Sequence, residues 1–129
     1  QFRRNPDPGG EAGYTLTMLM PDEKTAEKVR EAISAEGVAA GGNYSDEVRD
    51  WHVYAYWEHL LDLKTPTPEG CPFTCPYYEG DEPSYTADMC PQTLDILART
   101  VRIGIGATWT DADCDKVAAA INKVLAAYL

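Results

Sequence analysis

The fold class this sequence predicts is α+β, with a small antiparallel β-sheet covered by helices. Three observations lead there. Residues 14–20 (YTLTMLM) alternate in character, the period-two mark of a half-buried strand. Residues 22–37 and 110–128 carry apolar positions at helical spacing behind a capping residue. The order of pieces is strand, helix, strand, helix, irregular stretch, helix, strand, helix. That mixed order suits an antiparallel sheet with helices better than the strict alternation of a parallel one.

In the first strand Tyr14, Leu16, Met18 and Met20 share one face, with Thr15 and Thr17 on the other. Pro21 stops it and Asp22 is placed to cap the next helix. There Ala26, Val29, Ala32 and Ile33 recur at helical spacing, while Glu27, Lys28 and Arg30 are polar. Gly37 is positioned to end that helix in a left-handed conformation. Residues 38–40 predict a short second strand that runs into Gly41, Gly42, Asn43 and Tyr44.

Residues 49–63 (RDWHVYAYWEHLLDL) predict a second helix, since Trp51, Tyr54, Trp57, Leu60 and Leu61 fit a helical face better than a strand. From 64 to 89 five prolines and several glycines remove periodicity. An irregular stretch of that length in a compact domain is often functional. Pro91 opens a short helix carrying Leu94, Ile96 and Leu97. Val101, Ile103 and Ile105 alternate with Arg102 and Gly104 as a third strand. Thr110 and Asp113 form a capping box for the last helix, whose inner face is expected to hold Cys114, Val117, Ala118, Ile121, Val124, Leu125 and Tyr128.

The chain has 129 residues, 44% of them hydrophobic and 25% charged, which fits one globular domain with a real core. Residues 1–12 begin with Gln rather than Met and are rich in Pro, Gly and polar residues. They read as a linker from a preceding domain, leaving residues 13–129 as the domain itself. A formal net charge of -10 disfavours nucleic acid as a partner. No stretch is long and apolar enough to span a bilayer and the start resembles no signal peptide, so the expected compartment is the cytoplasm, with no membrane partner.

Few residues suggest chemistry. Cys71 and Cys75 are spaced C-x3-C, with Cys90 and Cys114 farther on and no second close pair. Zinc signatures use two close pairs, so no metal ligand is assigned and free, buried thiols in a reducing cytosol are expected. His52 and His59 lie seven apart and share one side of the expected helix. His52, downstream of the loop at Asn43 and Tyr44, is placed toward a ligand, and His59 toward structure or solvent. Gly104 and Gly106 match only part of a phosphate-binding glycine motif and read as a strand-end turn. Among the aromatics, Trp57 is expected in the core, while Tyr77, Tyr78 and Tyr85 are free to act at an interface. No nucleophile–base pair or carboxylate pair is evident, so no catalytic residue is assigned.

Several short strings resemble the C-terminal domain of the DegT/DnrJ/EryC1/StrS aminotransferases. The family's glycine-rich stretch followed by His-Tyr is similar to residues 37–44 (GVAAGGNY), with Asn43 where histidine is frequent and His52 near a second family histidine. Cys90-Pro91 through Leu97, Val101 to Ile105, and Thr110 to Asp113 follow the family order of helix, strand and final helix. The family's Leu-Pro-Leu strand is Ile103-Gly104-Ile105 here. Strings similar to residues 70–78 occur in members acting on unusual sugars.

The resemblance implies a pyridoxal-phosphate enzyme that aminates a keto sugar, nucleotide-linked in most members, or an aminocyclitol precursor. It implies that the cofactor and its Schiff-base lysine sit in a missing N-terminal domain, with no cofactor held by this chain and no catalytic residue within it. Asn43, Tyr44 and His52 are the substrate-facing residues it implies, in a domain that closes one side of the cleft of a homodimer. The rival expectations are a stand-alone ligand-binding module, a domain stabilised by zinc on Cys71, Cys75, Cys90 and a histidine, and a sugar dehydratase of the same family.

Overall fold

The computed structural model describes residues 1–42, 44 and 49–129. Its architecture is α+β. Strands β1 (Thr15–Leu19), β2 (Ala40–Gly41) and β3 (Thr100–Gly104) form an open antiparallel sheet in the order β1-β3-β2. Helices α1 (Glu23–Ala35), α2 (Glu58–Leu61), α3 (Pro91–Ala98) and α4 (Asp111–Tyr128) complete the described elements.

Side-chain alternation decides which face of the sheet is covered. Leu16 pairs with Ile103 and Met18 with Val101, so the apolar parity of β1 meets that of β3. Onto this face α1 delivers Ala26, Val29 and Ile33, and α4 delivers Ile121 and Val124, all in one buried cluster with Met18, Met20, Val101 and Ile103. The opposite parity carries Thr15, Thr17, Arg102 and Gly104, and Arg102 and Gly104 are exposed. The sheet is therefore helix-covered on one face.

Local signals set the helix ends. The Asp22 carboxylate accepts from Thr25 N at 2.8 Å, and Gly37 takes φ +86° after α1, a conformation that only glycine adopts without penalty. The Arg30 guanidinium donates to the Thr100 carbonyl at 3.1 Å, tying α1 to β3. It lies against Gly42, where a Cβ would sit 2.8 Å from Arg30 Nη1, so a side chain at 42 displaces this tie.

The box before α4 forms in both directions: Asp113 N donates to Thr110 Oγ1 at 3.3 Å, and Thr110 N to Asp113 Oδ2 at 3.0 Å. Hydrogen bonds from the Thr110 hydroxyl and then its backbone N–H hold the Asp113 carboxyl below the usual aspartate range. A depressed carboxyl adds stability that is full above its unfolded value and is lost as pH falls through the folded one. Thr110→Ala is expected to cost about 1 kcal/mol, seen as a lower urea midpoint at unchanged slope. Its deficit should shrink in acid, where the wild-type box is already weakened.

Two expectations need correction. Residues 49–63 are not one helix: a 3-10 turn spans Tyr54–Tyr56 and α2 follows after a break at Trp57 (ψ 73°). Two side chains cause this by capturing backbone partners. The Asp50 carboxylate accepts from His52 N at 2.9 Å, and Trp57 Nε1 donates to the Trp51 carbonyl at 2.7 Å, the acceptor a helix needs for residue 55. Aromatic residues also form helix weakly. On α4, Cys114, Ala118 and Tyr128 are exposed, because a sheet of three strands is too narrow to cover the full length of an 18-residue helix. Gln1 and Arg3 pair with the outer edge of β1: Leu19 N donates to Gln1 O at 2.7 Å and Arg3 N to Thr17 O at 2.9 Å.

Candidate substrate-facing site

The site predicted from sequence follows β2. Asn43 lies outside the described residues. Tyr44 is half-buried and stacks on Tyr56, with ring centroids 5.8 Å apart and planes at 27°. This stack fastens the start of the loop to the 3-10 turn. Tyr54 extends the connection, because its hydroxyl accepts from the backbone N–H of Cys90 at 2.9 Å, at the threshold of α3.

His52 is on the turn that the Asp50 carboxylate creates. Its Nδ1 lies 2.8 Å from Asp50 Oδ1, and its side chain is 97% exposed. The backbone N–H of His52, then its ring, hold the Asp50 carboxyl below the usual range, with Arg102 adding a smaller electrostatic pull. A neutral imidazole that donates from Nδ1 presents Nε2 as an acceptor. The arrangement thus offers a hydrogen-bonding nitrogen on an anchored turn, suited to a hydroxyl.

The structure joins Tyr44 and His52 through the same short segment, but His52 and His59 do not share a helical face. His59 belongs to α2 and stacks on Trp57 at 6.4 Å. Trp57 itself is half-buried and outside the core cluster. Sequence reasoning missed Asp50 and Arg102. Both had a signal: Asp50 stands two residues before His52, a spacing at which Asp captures backbone N–H groups, and β3 alternation puts Arg102 on the uncovered sheet face.

The cysteines also depart from expectation. Cys71 and Cys75 are joined in a disulfide, and Cys90 and Cys114 are free and exposed, where buried free thiols were the sequence expectation. The bond engages both sulfurs of the C-x3-C pair, and among the described residues no group of three or more His, Cys, Asp or Glu is gathered to hold a metal. All five lysines, Lys24, Lys28, Lys64, Lys116 and Lys123, are exposed. Lys64 is bonded to Asp62 at 2.8 Å, and that hydrogen bond raises its pKa. A lysine that binds pyridoxal phosphate is held in a desolvated pocket, and these exposed side chains do not fit the cofactor.

No protein-family model matches the chain. Among the described residues no helix is long and apolar enough to cross a membrane.

Proposed function

We propose that this chain is the small C-terminal domain of a cytoplasmic, homodimeric pyridoxal-phosphate aminotransferase acting on a keto sugar, nucleotide-linked, or on an aminocyclitol precursor. The supporting observation is the segment order. A strand–helix pair leads through a short edge strand into a tyrosine and histidine loop, and a helix, strand and capped helix close the domain, in the order of the resembling sequences. In this reading the cofactor, which supplies the exchange of a carbonyl oxygen for an amino group, is held entirely by residues outside these 129. Tyr44 and His52 face the sugar, Asp50 orients the imidazole, and the domain shuts water out of the cleft. The Cys71–Cys75 disulfide pulls against the compartment, since the cytosolic thiol pool keeps most such pairs reduced.

The test uses the whole product of the gene that encodes this chain. Expected are a visible absorption band and, after borohydride, a modified lysine that is none of the five here. A colourless protein, or reduction onto one of these lysines, overturns the proposal. His52→Ala is then expected to raise KM for the sugar by up to about tenfold, the worth of one hydrogen bond, and to leave the band unchanged.

A stand-alone binding module shares with this reading the lack of fit between these lysines and the cofactor. It predicts ligand binding by this chain with no absorbing group attached.

A further inference from the structure

Disulfides found beside a thiol pool are typically ones that exchange with it. We propose that Cys71 and Cys75 form a thiol-exchange site, opened at Cys71 by a small external thiol and closed again by that thiol's oxidised form. Three features support this. The two sulfurs differ in exposure, the pair closes a short ring outside the core, and exposed thiols coexist with the bond.

Cys71 is half-buried, whereas Cys75 is only 7% exposed. Access decides which sulfur of a disulfide a thiolate attacks. An entering thiol therefore reaches Cys71, and Cys75 is the sulfur that leaves. The two are four residues apart in sequence, so Cys75 competes for Cys71 at a high effective concentration and re-closes the ring. No residue of the ring belongs to the core cluster, so opening it leaves the packing of the sheet in place. Cys90 and Cys114 are free and exposed on the same chain. Strongly oxidising surroundings couple such thiols, and strongly reducing ones open such bonds. A chain with both fits a pair that follows the thiol balance between those limits.

The chemistry runs in two exchanges. The external thiolate bonds to Cys71 Sγ, the Cys71–Cys75 bond breaks, and the Cys75 thiolate takes a proton from water. A second external thiolate attacks the outer sulfur of the mixed disulfide and releases Cys71, which is protonated in turn. Two external thiols become one disulfide, and the protein pair gains two electrons and two protons. Charge sets the rate. Glu69, Glu79, Asp81, Glu82 and Asp88 are exposed, and residues 65–98 contain no Lys, Arg or His. Among the described residues none of these five acids is in an ion pair. Their field slows an anionic thiolate, the more so the greater its charge. The state of the bond also reaches beyond the ring, because Phe73 within it rests edge-on against Tyr85, with centroids 6.3 Å apart.

The exchange needs neither pyridoxal phosphate nor Tyr44 and His52, so its failure is distinct from failure of the aminotransferase. The experiment uses the full chain carrying Cys90→Ser and Cys114→Ser, which leaves one pair to titrate. Both replaced side chains are exposed. The folded, oxidised chain is treated with 2-mercaptoethanol or glutathione, quenched in acid and mapped by mass spectrometry. Expected are a mixed disulfide at Cys71, opening at unchanged far-UV circular dichroism, and re-closure when the oxidised thiol is added. Glutathione, with two carboxylates and one ammonium, brings one more negative charge than 2-mercaptoethanol. At equal thiolate concentration and low salt it should act about tenfold more slowly, and most of that gap should close in about 1 M salt. Opening only after the sheet melts, a mixed disulfide on Cys75, or a pair that the oxidised thiol does not close overturns the site. So does a ratio of the two rates that salt leaves unchanged.

Discussion

Val101→Asp is expected to leave this chain without a cooperative unfolding transition. Val101 lies in the middle strand, fully inaccessible, paired with Met18 across β1 and roofed by residues of α1 and α4. A carboxylate there loses its hydration inside a buried cluster made entirely of Met, Ala, Val and Ile. Burying an unpaired charge costs several kcal/mol at least, comparable to the whole stability of a domain, roughly 5–15 kcal/mol. Ile33→Ala removes apolar volume from the same cluster without adding charge, and should cost about 3 kcal/mol while leaving a folded state. Far-UV circular dichroism during heating separates the two. A sigmoidal melt for Val101→Asp within a few degrees of the parent would sink this account of the core.

Those core positions are also the ones most legible in the sequence. Met18, Val29, Ile33, Val101, Ile103, Ile121 and Val124 announce themselves because β1, α1, β3 and α4 each repeat one period for long enough to be recognised. Thr110 and Asp113 add a cap whose partners are local, so three residues of spacing suffice to find it. Legibility fails where a side chain competes with the backbone. Nothing in the apolar spacing of residues 49–63 says that Trp57 will reach back to the Trp51 carbonyl or that Asp50 will capture His52 N, and those two bonds turn an expected helix into separate short turns.

The site follows the same rule. Tyr44 and His52 stand out as an aromatic and a titratable residue after a strand. Their supports do not, because the Tyr44–Tyr56 stack and the approach of Arg102 to Asp50 depend on how separate elements meet. Pairing of Cys71 with Cys75 is likewise a matter of backbone approach, since the chain must turn until their Cα atoms are 4.5 Å apart. A C-x3-C spacing by itself is equally compatible with free thiols or ligands.

That bond leads to the second large effect. Between residues 64 and 89 the one buried position is Cys75, at 7% exposure. The stretch has no strand or helix of its own, so it lacks the apolar interior that holds other loops in place. A disulfide acts chiefly by limiting the open ensemble, and for a ring this short the chain-entropy estimate is about 2 kcal/mol. The core cluster contains no residue of this stretch. Reduction, or Cys75→Ser, should therefore release residues 66–86 and leave the sheet intact. In hydrogen exchange, amides such as Phe73 and Thr74, which donate to the Gly70 carbonyl at 2.9 Å, should lose roughly 30-fold of their protection, the equivalent of about 2 kcal/mol. Amides of β1 and β3 should not change. Protection at Phe73 and Thr74 that survives reduction would mean that packing of Phe73 on Tyr85 holds the stretch without the bond. A simultaneous loss in β3 would mean that the stretch and the sheet unfold as one unit.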